Sequence, residues 1–147
     1  MAEKGCRPEV IAERGAEARA LTLETLKNRA DFLRARKGRR HGLSALAVEA
    51  CGSPEGAAPA ATVRVGFTAT RQLGGAVVRN RAKRRLRALA RRVLPLCGRG
   101  GHDYVLIARA GTLSRRFSEL ENDLTAAVSA VHRALDRDRN NDEKLSA

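Results

Sequence analysis

Between residues 78 and 93 apolar side chains return every three or four positions, at Val78, Ala82, Leu86, Leu89 and Val93. This spacing predicts a helix with one packing face. Placed at 100° per residue, these positions share about a third of the circumference, and Lys83, Arg84, Arg85, Arg87, Arg91 and Arg92 fill the remainder. Pro95 and the Cys-Gly-Arg-Gly-Gly run at 97–101 are expected to end it, because proline lacks the donor and glycine favours turns. Upstream, residues 62–70 alternate Val63, Val65, Phe67 and Ala69 with polar or small side chains, the pattern of a half-buried strand. Downstream, 103–110 is a continuous apolar run with β-branched and aromatic residues, the pattern of a central strand covered on both faces. Strand, helix and strand thus make a βαβ-like unit. A weaker strand at 43–50 is separated from it by a flexible connection rich in glycine and proline.

Two further helices are predicted. Asn28 as N-cap, Asp31 three residues later and Gly38 at the end define a short one, with Phe32 and Leu33 expected to face the sheet. The last begins near residue 118 and carries Leu120, Leu124, Ala127, Val128, Val131 and Leu135 on one stripe, with Glu119, Glu121 and Asp123 favourably placed at its start. Residues 137–147 are a polar tail expected to fray, and 1–21 a flexible extension, which leaves a single domain over 22–136. A chain of 147 residues, 43% hydrophobic, suits one compact domain and not a multidomain enzyme.

Charge narrows the function. The net charge is +13 and the pI near 11.2, which points to a polyanionic partner. Residues 64–116 hold fourteen basic residues and one acid, Asp103, so the rest of the chain is neutral overall. Within 79–92 there are eight basic residues and no acid; such uncompensated charge favours a polyanion-binding face over a merely solvated one. A second cluster, 27–40, holds seven basic residues and only Asp31. Aromatic residues make up 3% and tryptophan is absent, so base stacking can supply little of the affinity. No apolar run approaches the ~18 residues of a membrane span, no secretory signal is visible, and the first twenty residues balance four basic with four acidic side chains, unlike a mitochondrial presequence. A soluble, cytoplasmic protein is expected. Cys6, Cys51 and Cys97 are spaced too widely for a metal clip and read as reduced thiols, while His41, His102 and His132 are scattered and expected at the surface. Ser114 and Thr68 lack the neighbours of a nucleophile, and no cluster of acids suits a protein-only metal nuclease. Charge and size alone fit a structural RNA-binding protein of ribosomal or assembly type equally well.

The order of elements and the run 64–87 resemble the protein subunit of bacterial ribonuclease P. A strand of the form R-x-G-x-x-x-x-K/R is represented by Arg64, Gly66 and Arg71, the glycine turn by Gly74, and the signature R-N-R-x-K-R-x-x-R by Arg79, Asn80, Arg81, Lys83, Arg84 and Arg87. The resemblance spans about 23–135. It implies an α+β fold (an α/β sandwich): a small mixed sheet, a βαβ crossover of the uncommon left-handed sense, a short N-terminal helix and a C-terminal helix. It also implies a protein cofactor of a catalytic RNA subunit that helps remove the 5′ leader from precursor tRNA, with cleavage by RNA-bound Mg²⁺. By this resemblance Arg71, Arg79, Asn80, Arg81, Lys83, Arg84 and Arg87 contact RNA. The resemblance also assigns Phe32, Arg36, Arg64 and Phe67 to a leader cleft between the first helix and the sheet, while the residue pattern leaves Phe32 open between cleft and core and reads Phe67 and Tyr104 as core by default, either able to border the cleft. Arg36 and Glu49 stand where members have aromatics, and Gln72 and Gly75 where lysine and asparagine are frequent.

Overall fold

A computed structural model describes residues 22–54 and 61–146, with side chains to 141. The extension 1–21, with Cys6, and residues 55–60 of the glycine- and proline-rich connection lie outside the described residues. Five strands form one sheet: β1 (Thr22–Thr25), β2 (Arg39–Gly42), β3 (Leu46–Gly52), β4 (Thr62–Thr68) and β5 (His102–Ala108). Their spatial order is β1-β4-β5-β3-β2; β1, β4 and β5 are mutually parallel, β3 runs antiparallel to β5, and β2 runs antiparallel to β3. Among the described residues four α-helices accompany them: α1 (Arg29–Lys37), α2 (Ala76–Cys97), α3 (Ala110–Ser114) and α4 (Phe117–Ser146).

The strand pattern divides the core by parity. Val63 and Val65 of β4 and Tyr104, Leu106 and Ala108 of β5 face the main core, where α2 contributes Ala82, Leu86, Leu89, Ala90, Val93 and Leu94 and α4 contributes Leu120, Leu124, Ala127, Val128 and Val131. The opposite face meets α1 through a smaller cluster of Leu26, Ala35, Cys51 and Val105, with Phe32 and Ile107 beside it. Both faces of β5 are therefore covered, as its unbroken apolar run requires.

Several expectations shift in detail. β1 and β2 carry no apolar alternation, reading Thr-Leu-Glu-Thr and Arg-Arg-His-Gly; backbone pairing with β4 and β3 recruits them. Ala110 opens α3 instead of ending a strand. The α2 helix runs through Pro95 to Cys97 and is closed by Gly98, whose N–H donates to the Leu94 carbonyl at 2.8 Å. Proline is tolerated there because it removes one bond from a terminal turn that Val93 and Leu94 hold in the core. The α4 helix continues past Asp136 to Ser146, and Asp138 pairs with Arg39 of β2 where a frayed tail is expected. Leu33 is 41% exposed; the residues of α1 that turn inward are Asp31, Phe32 and Ala35.

His132 is buried, contrary to the surface expectation, because it lies one turn after Val128 on the inward stripe of α4. There it meets Tyr104, whose hydroxyl lies 2.6 Å from its Nε2 and accepts from the Arg99 N–H at 3.0 Å. Burial pushes the Tyr104 phenol up, so the hydroxyl stays protonated and pairs with a neutral imidazole. Burial, with Arg99 adding, lowers the His132 pKa from 6.5 to about 4. Between these values the unfolded chain binds a proton that the native protein refuses, so stability must fall as pH drops through this window. Asp136 and Asp138, held below their ordinary values by Arg99 and Arg39, lose their contribution only at lower pH. Urea unfolding between pH 7 and 4.5 is expected to lose on the order of 2–3 kcal/mol of stability from this group. His132→Gln should flatten that slope; an unchanged slope would mean that the imidazole is protonated in the native state.

Candidate nucleic-acid interface

A turn of 3-10 helix at Arg71–Leu73 leads from β4 into Gly74, whose φ of 144° is open to glycine, and Gly75 then occupies the N-cap of α2. With its apolar stripe locked into the core, α2 sorts its cations by direction. Arg85 turns inward and donates from both terminal nitrogens to the carbonyls of Leu113 and Arg115, each at 2.9 Å, tying α2 to the segment after α3. Arg92 pairs with Glu121 and lies 5.9 Å from the Phe117 ring centroid. Asn80, Arg84, Arg87 and Arg91, at successive spacings of four, three and four, form one exposed row, with exposed Arg81 and half-exposed Lys83 beside it. Among the described residues no carboxylate pairs with any of these five cations. Arg71 is exposed at the helix entry, and Arg79 is half-buried. The row is therefore a preorganised cationic face.

Phe67, expected in the leader cleft, is on this side of the sheet: it packs against the main core, and the Arg87 guanidinium lies 5.8 Å from its ring centroid. Strand parity explains the correction, since Phe67 is odd and Arg64, Gly66 and Thr68 point the other way.

The cleft itself, about 630 Å³, lies between α1 and the sheet. Val105, Ile107 and Thr68 line it from the sheet, Phe32, Leu33 and Arg36 from α1, and Lys27, Arg29, Arg40, Glu49 and Thr70 complete it. Glu49 is nearly buried and pairs with Arg40 at 3.5 Å. Phe32 lies so close to β4 that a Cβ on Gly66 would come within 2.5 Å of its ring. Arg64, two residues earlier on the same face, does not line the cleft: it pairs with Asp31 and Asp103. Sequence reasoning brings Phe32 and Arg36 here but misses Lys27, Arg29, Thr70, Val105 and Ile107; the period-two parity of β4 and β5 could have found the last two.

A family model for ribonuclease P matches residues 22–132. The chain belongs to the ribonuclease P protein family. It is 48% identical over 111 residues to the ribonuclease P protein component of Ruegeria pomeroyi, covering 75% of this chain and 87% of that one. Identity to the Caulobacter vibrioides protein component is 47% over 117 residues, covering 80% and 76%. The RNase P protein from Thermotoga maritima has the same fold, with a TM-score of 0.58 at 26% identity, covering 71% of this chain and 94% of that one. The chain is thus a protein component of ribonuclease P, part of an RNA-based endonuclease of tRNA processing. The ribosomal or assembly-factor alternative is set aside. Both the α2 row and the cleft lie inside the matched span; the end of α4 lies beyond it.

Gly66→Ala tests whether the ring of Phe32 is seated by β4. Overpacking of this kind typically costs about 1–3 kcal/mol, and that loss is expected in denaturant unfolding with the m-value unchanged. Full stability in the variant would mean that α1 rides free of the strand.

Proposed function

We propose that this ribonuclease P protein binds the catalytic RNA subunit through the outward face of α2 and the single-stranded 5′ leader of precursor tRNA through the cleft under α1. The observation that carries the reading is the exposed row Asn80, Arg84, Arg87 and Arg91, flanked by Arg81 and Lys83 and without acidic partners among the described residues. Like charges at neighbouring helical positions repel one another, and the crowded phosphates of a folded RNA reverse that cost. Guanidinium groups add two-pronged bonds to phosphate oxygens. Arg71 and Arg79 extend the contact toward the helix start, and Asn80 adds a neutral hydrogen-bonding group.

The cleft suits a single strand for complementary reasons. Val105 and Ile107 give it an apolar floor, Phe32 one ring on which a base can stack, and Lys27, Arg29 and Arg36 charge to follow a backbone. Arg36 in place of a second aromatic makes binding here more electrostatic. Arg64 and Phe67 support the two surfaces from beneath.

Cleavage in this reading belongs to Mg²⁺ held by the RNA. The chain's own residues do not fit a resident metal ion: among the described residues no three of His, Cys, Asp and Glu gather, and arginines take up the buried carboxylates Asp31 and Asp103. The protein contributes binding and orientation, which by themselves lower barriers. No helix among the described residues is long and apolar enough to cross a membrane.

The purified protein is expected to cleave no precursor tRNA, and addition of its RNA subunit at low Mg²⁺ to restore 5′ processing. Metal-dependent cleavage by rigorously RNA-free protein would overturn the assignment. The double substitution Arg81→Ala with Arg84→Ala should weaken binding to the RNA subunit and reduce the slope of log affinity against log salt by about 1.5–2, since each lost phosphate contact lowers it by nearly one. Wild-type circular dichroism with an unchanged slope would show these arginines to be merely solvated.

A further inference from the structure

Four charged side chains close into a ring between α1 and the sheet. Arg34 Nη2 donates to Asp31 Oδ1 at 2.5 Å and to Asp103 Oδ2 at 2.9 Å, while Arg64 Nη2 donates to the other Asp31 oxygen and its Nε lies 3.6 Å from Asp103 Oδ1. Ser53 closes the remaining side by donating to Asp103 Oδ1 at 2.5 Å. The Asp103 side chain has no exposure and that of Arg64 only 11%, so Arg64 has little surface to offer RNA.

The position of the ring is informative. Arg64 and Asp103 are register partners in the parallel pair β4–β5; the next pair on the same face is Gly66 with Val105, and the next Thr68 with Ile107. The three rows follow one another at about 7 Å. The first holds the ring, the second receives Phe32 on Gly66, and the second and third supply Val105, Ile107 and Thr68 to the cleft. Asp31, held by both arginines, directly precedes Phe32. Ion pairs that anchor the helix through Asp31 and Arg34 therefore set the rotation of α1, and with it the height of the Phe32 ring over the floor.

We propose that the ring Asp31–Arg34–Asp103–Arg64 is the positioning device of the leader cleft, Arg64 and Asp103 acting on RNA only through the seat they give α1 and Phe32. This rests on the cleft reading above. The competing role, Arg64 as a direct phosphate ligand, makes opposite statements about two measurements.

In the full chain labelled with 4-fluorophenylalanine, Phe32, Phe67 and Phe117 give three fluorine resonances. Arg64→Lys keeps the charge and loses the planar fork that reaches both carboxylates. It is expected to shift the Phe32 resonance and leave the other two in place. An unmoved Phe32 signal, or displacement of all three, overturns the proposal. Arg34→Lys, at the more exposed corner, should give the same pattern with smaller amplitude and serves if Arg64→Lys does not fold.

In the reconstituted holoenzyme, Phe32→Ala should weaken precursor tRNA binding about tenfold and spare mature tRNA, the loss of one stacked base. Arg64→Lys should weaken precursor alone about threefold, and the double variant should be no weaker than Phe32→Ala, because both act through the same ring. A double loss near thirtyfold would make Arg64 an independent ligand and overturn the proposal. If Phe32→Ala spares precursor binding while the fluorine shift persists, the cleft reading itself fails, leaving the ring a purely structural device.

Discussion

Asp103 sits on the central strand of a sheet covered on both faces, with no exposure; Arg34 and Ser53 donate hydrogen bonds to it, and Arg64 pairs with it at 3.6 Å. Removing one partner from such a buried set typically costs about 3–5 kcal/mol, because a charge is left without water or counter-ion. Much of the architecture follows. The parallel pairing of β4 with β5 brings Arg64 beside Asp103, and the remaining demand for cationic donors draws Arg34, and so α1, onto that face. A domain with little aromatic surface thus fixes a helix by charge where a larger core would do so by packing.

The opposite face works by a different rule. There α2 and α4 bury aliphatic stripes against β4 and β5, and cations survive only where they find water or a specific acceptor. The basic run of α2 is therefore not uniform: Arg85 secures the α3–α4 segment and Arg92 meets Glu121, while among the described residues Arg81, Arg84, Arg87 and Arg91 have no carboxylate partner, Arg87 lying over the Phe67 ring. The two surfaces of the proposed function lie on opposite faces of one sheet.

The sequence made the long elements legible because their patterns are self-contained. The stripe of α2 and the apolar run of β5 need no knowledge of neighbours. β1 and β2 were invisible for the converse reason, since their residues are polar and only pairing makes them strands. The α2 row was legible from charge and motif together. The cleft was legible only in part: Phe32 and Arg36 lie in it, but grouping Arg64 with Phe67 conflicts with strand parity, which puts them on opposite faces. A lone acid within fourteen cations was itself a signal, for an aspartate kept in such a segment is well suited to be a buried counter-ion.

The separation of surfaces can be read directly by placing a short photocrosslinker at one exposed, chemically neutral position on each: Ala88 on α2 and Leu33 on α1. In the reconstituted holoenzyme with precursor tRNA bound, the account expects Ala88 to label the RNA subunit and Leu33 to label the 5′ leader. With mature tRNA the Leu33 adduct should vanish and the Ala88 adduct persist. Labelling of the leader from Ala88, or of the RNA subunit alone from both positions, would contradict it.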